Sequence, residues 1–387
     1  MATARRDKRR ALLLLLCLST NALSLQLQLQ RKLGRIRQWK ALRRQRREGE
    51  RAPHNPPIQY CRKRAWSITK EGWDDTDCLE YLRFTREEVF QIIRAFGLTD
   101  NYKWRNHSRA TAEEAFCLFL FRLSHPHRLK DCMKLFGKSR TWCSHIFNDM
   151  ACLLARKYKD RLEWDSQRLN LAQLQVYADA VEDASNVRGI WGFIDGTHRG
   201  IARPVSEQQD HYAGAKKEHG IRYQGIVTPD GLVHMAGPWL GPTGDWRMWQ
   251  ESGMETRLRE LFKDTNPEDR LYLYGDPAYY PGYGIMGPFR AEGGRNFELT
   301  KDQEAANVVM SGQRIVVEWI FGIISRYWTF TAFKRSNRVG LSPVAAYYLC
   351  AALLTNIHTC LRRRNQISDK FDLEPPTLKE YLGIATS

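Results

Sequence analysis

The sequence predicts an α/β protein: a mixed sheet flanked by helices, preceded by a helical subdomain of helix-turn-helix character and a basic N-terminal arm. Three observations carry that prediction. Lys and Arg concentrate at the start, where residues 1–64 hold 18 of them against three Asp and Glu, so nearly all of the formal +17 belongs there. Apolar residues recur at helical spacing from about residue 85 to 158. From about residue 189 short apolar runs alternate with turn sequences, the pattern of strands.

Residues 1–58 read as a flexible arm, closed by the turn-rich stretch Ala52-Pro53-His54-Asn55-Pro56-Pro57. A basic arm suits nucleic acid, a nuclear import receptor or an anionic membrane surface, and it also suits a solvated extension with no dedicated partner. Within it, basic Arg5–Arg10, apolar Ala11–Leu18 and the small residues Ser19, Thr20 and Ala22 have the three-part form of a secretory leader. That apolar run is too short to span a bilayer. Lys40–Arg47 has the form of a nuclear address. A nuclear protein is the expectation, because the body argues for DNA chemistry. No other run reads as a transmembrane helix, and no membrane partner is expected. The nine cysteines include no CxxC pair, which argues against a disulfide framework or a zinc knuckle and fits a reducing compartment.

The helical subdomain spans 59–185. Thr85 caps a helix with Glu87 and Glu88 in its first turn and Val89, Phe90, Ile92, Ile93 and Phe96 on its apolar face, and Gly97 ends it. Thr111 starts a second helix through Phe116 to Leu123, broken by His125-Pro126-His127. Leu129–Phe136, the turn Gly137-Lys138-Ser139 and a longer helix from Arg140 to Tyr158 form a helix-turn-helix pattern. Ser139 caps the longer helix, whose first turn offers Arg140, Thr141 and Ser144 to a major groove; an ordinary buried helical hairpin has the same pattern. The α/β domain spans 186–365. Its predicted strands are 189–194, ending at Asp195; 221–227, followed by the turn Thr228-Pro229-Asp230-Gly231; 232–239; and 271–274. Helices are predicted over 246–263 and 302–328. Strand, hairpin, helix, strand, helix is the order of an RNase-H-like fold. Residues 366–387 read as a C-terminal tail.

Four acidic residues stand in four separated motifs: Asp195 in Phe193-Ile194-Asp195-Gly196-Thr197, Asp245 after Gly244, Asp276 in Tyr274-Gly275-Asp276-Pro277-Ala278-Tyr279, and Glu318 in Arg314-Ile315-Val316-Val317-Glu318-Trp319. Cutting a phosphodiester needs an activated oxygen and charge stabilisation on the leaving oxygen, which two divalent ions about 3.5–4 Å apart supply. Mg2+ or Mn2+ takes carboxylate oxygens, and the carboxyl ends of strands are where open α/β sheets bind ligands. Asp195 and Asp276 are expected at such ends. Glu318 lies in an apolar helix and needs a partner; the bland reading is an ion pair with Arg314 at i−4, worth roughly 0.2–0.5 kcal/mol.

These motifs, with Val227-Thr228-Pro229-Asp230-Gly231 and Met310-Ser311-Gly312-Gln313, resemble the DDE domain of PIF/Harbinger-type transposases and their domesticated nuclease relatives. The resemblance runs over roughly residues 85–365. It implies an RNase-H-like fold and a metal-dependent endonuclease and strand transferase acting on double-stranded DNA, with Asp195, Asp276 and Glu318 as the catalytic triad. It also implies that Asp195, Asp245, Asp276 and Glu318 hold the metal, two Mg2+ or Mn2+ ions, and it leaves room for a separate DNA-binding partner protein and a homo-oligomer. The family usually shows a His before the residue matching Asp245; Gly244 departs from that. His198 is a further candidate beside the metal or the DNA, against a satisfied loop histidine. Arg199, Arg203, Lys216, Lys217 and Arg222 are candidates for a DNA path, and Tyr212 and Tyr223 for stacking or packing. No GxSxG elbow points to a serine hydrolase. Two other readings remain: a domesticated DNA-binding or regulatory protein without transposition, and a secreted basic protein resting on Ala11–Leu18 alone.

Overall fold

The computed structural model describes residues 65–384 apart from 103, 106, 107 and 291–297. The arm at 1–58, with its leader-like and nuclear-address-like segments, lies outside the described residues. The described residues open with eight helices: α1 (Ile68–Glu71), α2 (Asp75–Leu82), α3 (Arg86–Phe96), α4 (Ala112–Ser124), α5 (Leu129–Phe136), α6 (Arg140–Lys157), α7 (Lys159–Glu163) and α8 (Leu171–Ser185). Their ends follow local chemistry. Thr85 accepts from the Glu88 N–H while the Glu88 carboxylate accepts from the Thr85 N–H, a reciprocal cap on α3. Thr111 and Ser139 cap α4 and α6 one way, accepting from the Glu114 and Trp142 N–H groups. Gly137, at φ 62°, closes α5 and turns the chain into α6, so the expected helix-turn-helix boundaries hold. Helix α8 was not anticipated, although Leu174, Tyr177, Ala178 and Val181 give it a buried face at helical spacing.

The sheet part contains β1 (Ile190–Gly200), α9 (Gln208–His211), β2 (Tyr212–Ala213), β3 (Glu218–Val227), β4 (Val233–Leu240), α10 (Asp245–Glu251), α11 (Met254–Leu261), β5 (Tyr272–Tyr274), β6 (Ile285–Met286), α12 (Lys301–Tyr327), α13 (Val344–Arg362), α14 (Gln366–Lys370) and α15 (Leu378–Leu382). Strand β1 is central. It runs antiparallel to β3, which pairs antiparallel with β4 and β2, and parallel to β5, which pairs parallel with β6. This mixed sheet, flanked by helices, is consistent with an RNase-H-like fold. Two expectations change. Strand β1 does not end at Asp195 but continues to Gly200, because its polar, glycine-containing half pairs with β3 through Gly200↔Gly220. The helix expected over 246–263 is two helices, broken where Gly253 takes φ 69°.

Helices α12 and α13 are also long and apolar enough to cross a membrane by composition, which the sequence reading did not flag. In α13, 78% of the apolar window is buried inside the protein, and α12 turns Met310, Val316, Val317, Ile320 and Ile324 into the core. One cluster of buried side chains runs from Trp66 through α4 and α6 to β3, α12, α13 and Tyr381. A second packs Trp191 and Ile194 against Tyr177, Trp249, Leu258 and Tyr279 on α8, α10, α11 and the segment after β5. The C-terminal segment belongs to this architecture: Ile367, Phe371, Leu378 and Tyr381 are buried.

Candidate active site

Asp195 sits in the middle of β1, paired with Gly225 of β3. Side chains alternate along a strand, so Asp195 shares a face with Phe193 while Gly196 faces the other way. Glycine at both neighbouring positions is a packing requirement. A Cβ on Gly225 would lie 2.8 Å from the Phe321 ring, so α12 crosses the sheet there and carries Arg314 and Glu318 toward Asp195. A Cβ on Gly196 would lie 1.7 Å from Asp245 Oδ1 and 2.7 Å from Met248 Cε, so the start of α10 reaches the strand on the opposite face.

Asp276 follows β5. The parallel register sets Gly192 beside Leu273 and Phe193 beside Tyr274, and Asp276 lies two residues beyond the end of that pairing. Asp276 Oδ1 accepts from the Ala278 N–H at 2.9 Å, which fixes the turn after the strand. Asp195, Asp245 and Asp276 line one cleft of about 660 Å³, together with Thr197, His198, Lys216, Glu218 and Arg222. Glu318 does not line that cleft. Its carboxylate is 60% exposed and is joined to Asp195 through Arg314, whose Nη1 lies 3.1 Å from Asp195 Oδ2 and whose Nη2 lies 3.6 Å from Glu318 Oε1. The ion pair that a helical reading of Glu318 anticipates is therefore present, but the closer partner of Arg314 is Asp195 on strand β1, against which α12 packs.

The carboxylates are gathered without being collapsed into one ligand set: among the described residues, no three His, Cys, Asp or Glu side chains stand together closely enough to hold an ion. Guanidinium groups intervene. Arg222 donates to Asp245 Oδ1 and to the Thr243 carbonyl, each at 2.6 Å. It is the side-chain support of Asp245 at this position, while Gly244 itself has open space around its Cβ position. Burial raises the Asp195 carboxyl to about 6, with the Asp276 and Asp245 carboxylates adding to the rise and Arg314 opposing it. A carboxylate disfavoured by desolvation and by like charges is one that a divalent cation would stabilise. All four acids offer hard oxygen donors, so the donor set fits Mg2+ or Mn2+.

The secondary candidates separate. His198 is largely buried, 3.2 Å from Glu218, and its imidazole is held below the usual range by burial. Arg199 is engaged by the protein's own side chains: it donates to Ser325 and Tyr348 and stacks on the Tyr348 ring 4.2 Å away. Arg203 is engaged by Gln208, whereas Lys216 and Lys217 are exposed. Tyr223 is buried against Tyr348 as a packing residue, and exposed Tyr212 lies edge-on to His219. The Arg314–Asp195 and Arg222–Asp245 pairs were missed from sequence, which anticipated Arg314 only as the partner of Glu318; a partly buried Arg calls for an acid, but which acid is set by tertiary packing.

A sheet carrying carboxylates from β1, the start of α10 and the β5 turn in one cleft, with a further carboxylate on a packed helix, defines a carboxylate-centred site on an α/β sheet. Residues 194–356, a span containing all four acids, match the model of the DDE superfamily endonuclease family, which supports a DDE transposase-like affiliation for this part of the chain. No curated protein and no solved structure matches the chain.

Proposed function

We propose that the protein is a divalent-metal-dependent DNA endonuclease and strand transferase of the PIF/Harbinger type, acting in the nucleus on double-stranded DNA. The observation that supports this most is the convergence of Asp195, Asp245 and Asp276 on one cleft inside the span that matches the endonuclease family. Asp195, Asp276 and Glu318 are the proposed catalytic residues, and these three with Asp245 the proposed metal ligands. Bound Mg2+ or Mn2+ would activate the attacking oxygen and stabilise charge on the leaving oxygen.

The chain's own residues supply placement. Strand β1 and the β5 turn bring Asp195 and Asp276 to one cleft, Arg222 orients Asp245, and exposed Lys216 at the rim offers a charge to the DNA backbone. Arg140 and Thr141, exposed at the capped start of α6, are placed to contact a duplex. A separate DNA-binding partner and a homo-oligomer are compatible with this reading.

Purified full-length protein incubated with supercoiled plasmid and Mn2+ is expected to nick DNA, with EDTA abolishing the reaction. Asp195→Asn and Glu318→Gln are expected to lower the rate by at least about a hundredfold while leaving the thermal unfolding transition in place. Cleavage at the wild-type rate by either folded variant overturns the assignment.

A further inference from the structure

Arg314 is the guanidinium that touches two of the four acids. It reaches Glu318 one turn along its own helix, and Asp195 on strand β1, 119 positions away in sequence. Asp195 uses its other oxygen to accept from the Gly196 N–H at 2.7 Å, so Arg314 occupies the carboxylate oxygen that backbone does not. The Arg314 side chain is only 20% exposed, which limits screening of its charge by bulk water. An acid that lends its free oxygen to a guanidinium cannot at the same time lend that lone pair to a cation.

We propose that Arg314 is a displaceable counter-ion: it neutralises Asp195 and Glu318 in the absence of substrate, and passes to a DNA phosphate when the duplex docks, releasing both carboxylates for divalent cations. The inference rests on the metal-dependent nuclease reading. Arginine suits such an exchange, because its charge is permanent and its planar fork fits carboxylate and phosphate alike. DNA and divalent cation then favour the same arrangement, with Arg314 withdrawn from the acids. Linkage makes that preference reciprocal, so each must tighten the binding of the other. Arg314 is on this account a positioning residue, and its signature is in metal affinity rather than in rate alone.

The test is Mn2+ binding to the full-length protein, followed by the electron paramagnetic resonance signal of free Mn2+, with and without a short duplex. Without DNA, Arg314→Gln is expected to bind Mn2+ about tenfold more tightly than wild type. Arg314→Lys, which replaces the fork by a single ammonium, is expected to fall between them. The duplex is expected to tighten Mn2+ binding in the wild type and to change it little in Arg314→Gln. Equal or weaker Mn2+ binding by folded Arg314→Gln, or an equal gain from DNA in both proteins, overturns the counter-ion role. If Arg314→Gln does not fold, an Arg314→Lys affinity equal to wild type overturns it. A wild type that binds no Mn2+ under either condition overturns the metal-dependent reading itself and this inference with it, whereas wild-type binding abolished by Asp195→Asn leaves that reading standing whatever Arg314 does.

Discussion

A methyl group on residue 196 would lie 1.7 Å from Asp245 Oδ1 and 2.7 Å from Arg222 Nη2. Gly196→Ala is therefore expected to push the Asp245–Arg222 pair away from β1, at an overpacking cost of roughly 1–3 kcal/mol. Calorimetry should show weakened Mn2+ binding with the protein still folded; unchanged binding would remove Asp245 from the site. The four acids themselves were legible from residue type and local motif, as was the Glu318–Arg314 pair, whereas the guanidinium partners of Asp195 and Asp245 were not. Arg314 and Asp195 meet only because Gly225 admits the Phe321 ring and lets α12 approach the strand, a tertiary contact with no local signature. A second residue-scale effect lies away from the site. His234 on β4 is buried, its ring nitrogens lack hydrogen-bond partners among the described residues, and burial, then the charge of Arg168, lowers it from 6.5 to about 4. The unfolded chain binds that proton more readily, so the stability it contributes is full above pH 6.5 and falls as pH drops toward 4. His234→Leu is expected to remove up to roughly 3 kcal/mol of that acid-side loss in urea titrations between those limits, with His358, also lowered to about 4, sustaining part of the slope.

At the scale of elements, sequence chemistry predicted helices well where a cap and an apolar face coincide, as in α3, α4 and α6. It failed where pairing or backbone geometry decides. The second half of β1 has no apolar alternation and is a strand because β3 supplies its ladder. The two-residue strands β2 and β6 are too short to carry a period, and they exist because β3 and β5 offer an edge. Gly253 splits a helix that composition alone would continue. The helix-turn-helix pattern shows how one segment can serve two readings. Its turn residue Lys138 lies 3.2 Å from buried Glu114 of α4, which also accepts from the Trp66 N–H. The motif is thus anchored into the helical core from its turn, while Arg140 and Thr141 at the start of α6 stay exposed. A buried hairpin and a presented helix start are compatible here.

At the scale of the whole molecule, the helical part and the sheet part share a core. Phe147 of α6 packs on Phe330 and Tyr347, with ring centroids 5.0 and 5.1 Å apart, and Arg122 of α4 lies over the Phe147 and Phe330 rings. Tyr347 donates to Asn148 at 2.6 Å, Thr329 to the Ser124 carbonyl at 2.6 Å, and Arg83 to the Tyr327 carbonyl. These contacts join α2, α4 and α6 to the end of α12 and the start of α13, and α12 carries Arg314 and Glu318. The position of two site residues thus depends on helices that contain none of the acids. Cutting the chain before β1 would expose Phe330, Tyr347 and Cys350, each now almost fully buried, and leave their polar partners behind. Exposing large aromatic side chains costs about 1.5–3 kcal/mol each, a large share of the 5–15 kcal/mol by which domains are typically stable. Residues 186–387 expressed alone are therefore expected to lack a cooperative thermal transition and to bind no Mn2+. Residues 60–387 are expected to melt in one calorimetric transition, with calorimetric and van't Hoff enthalpies in agreement. Two separated transitions in that longer fragment, or a folded and metal-binding 186–387, would show that the shared core does not couple the helices to the site.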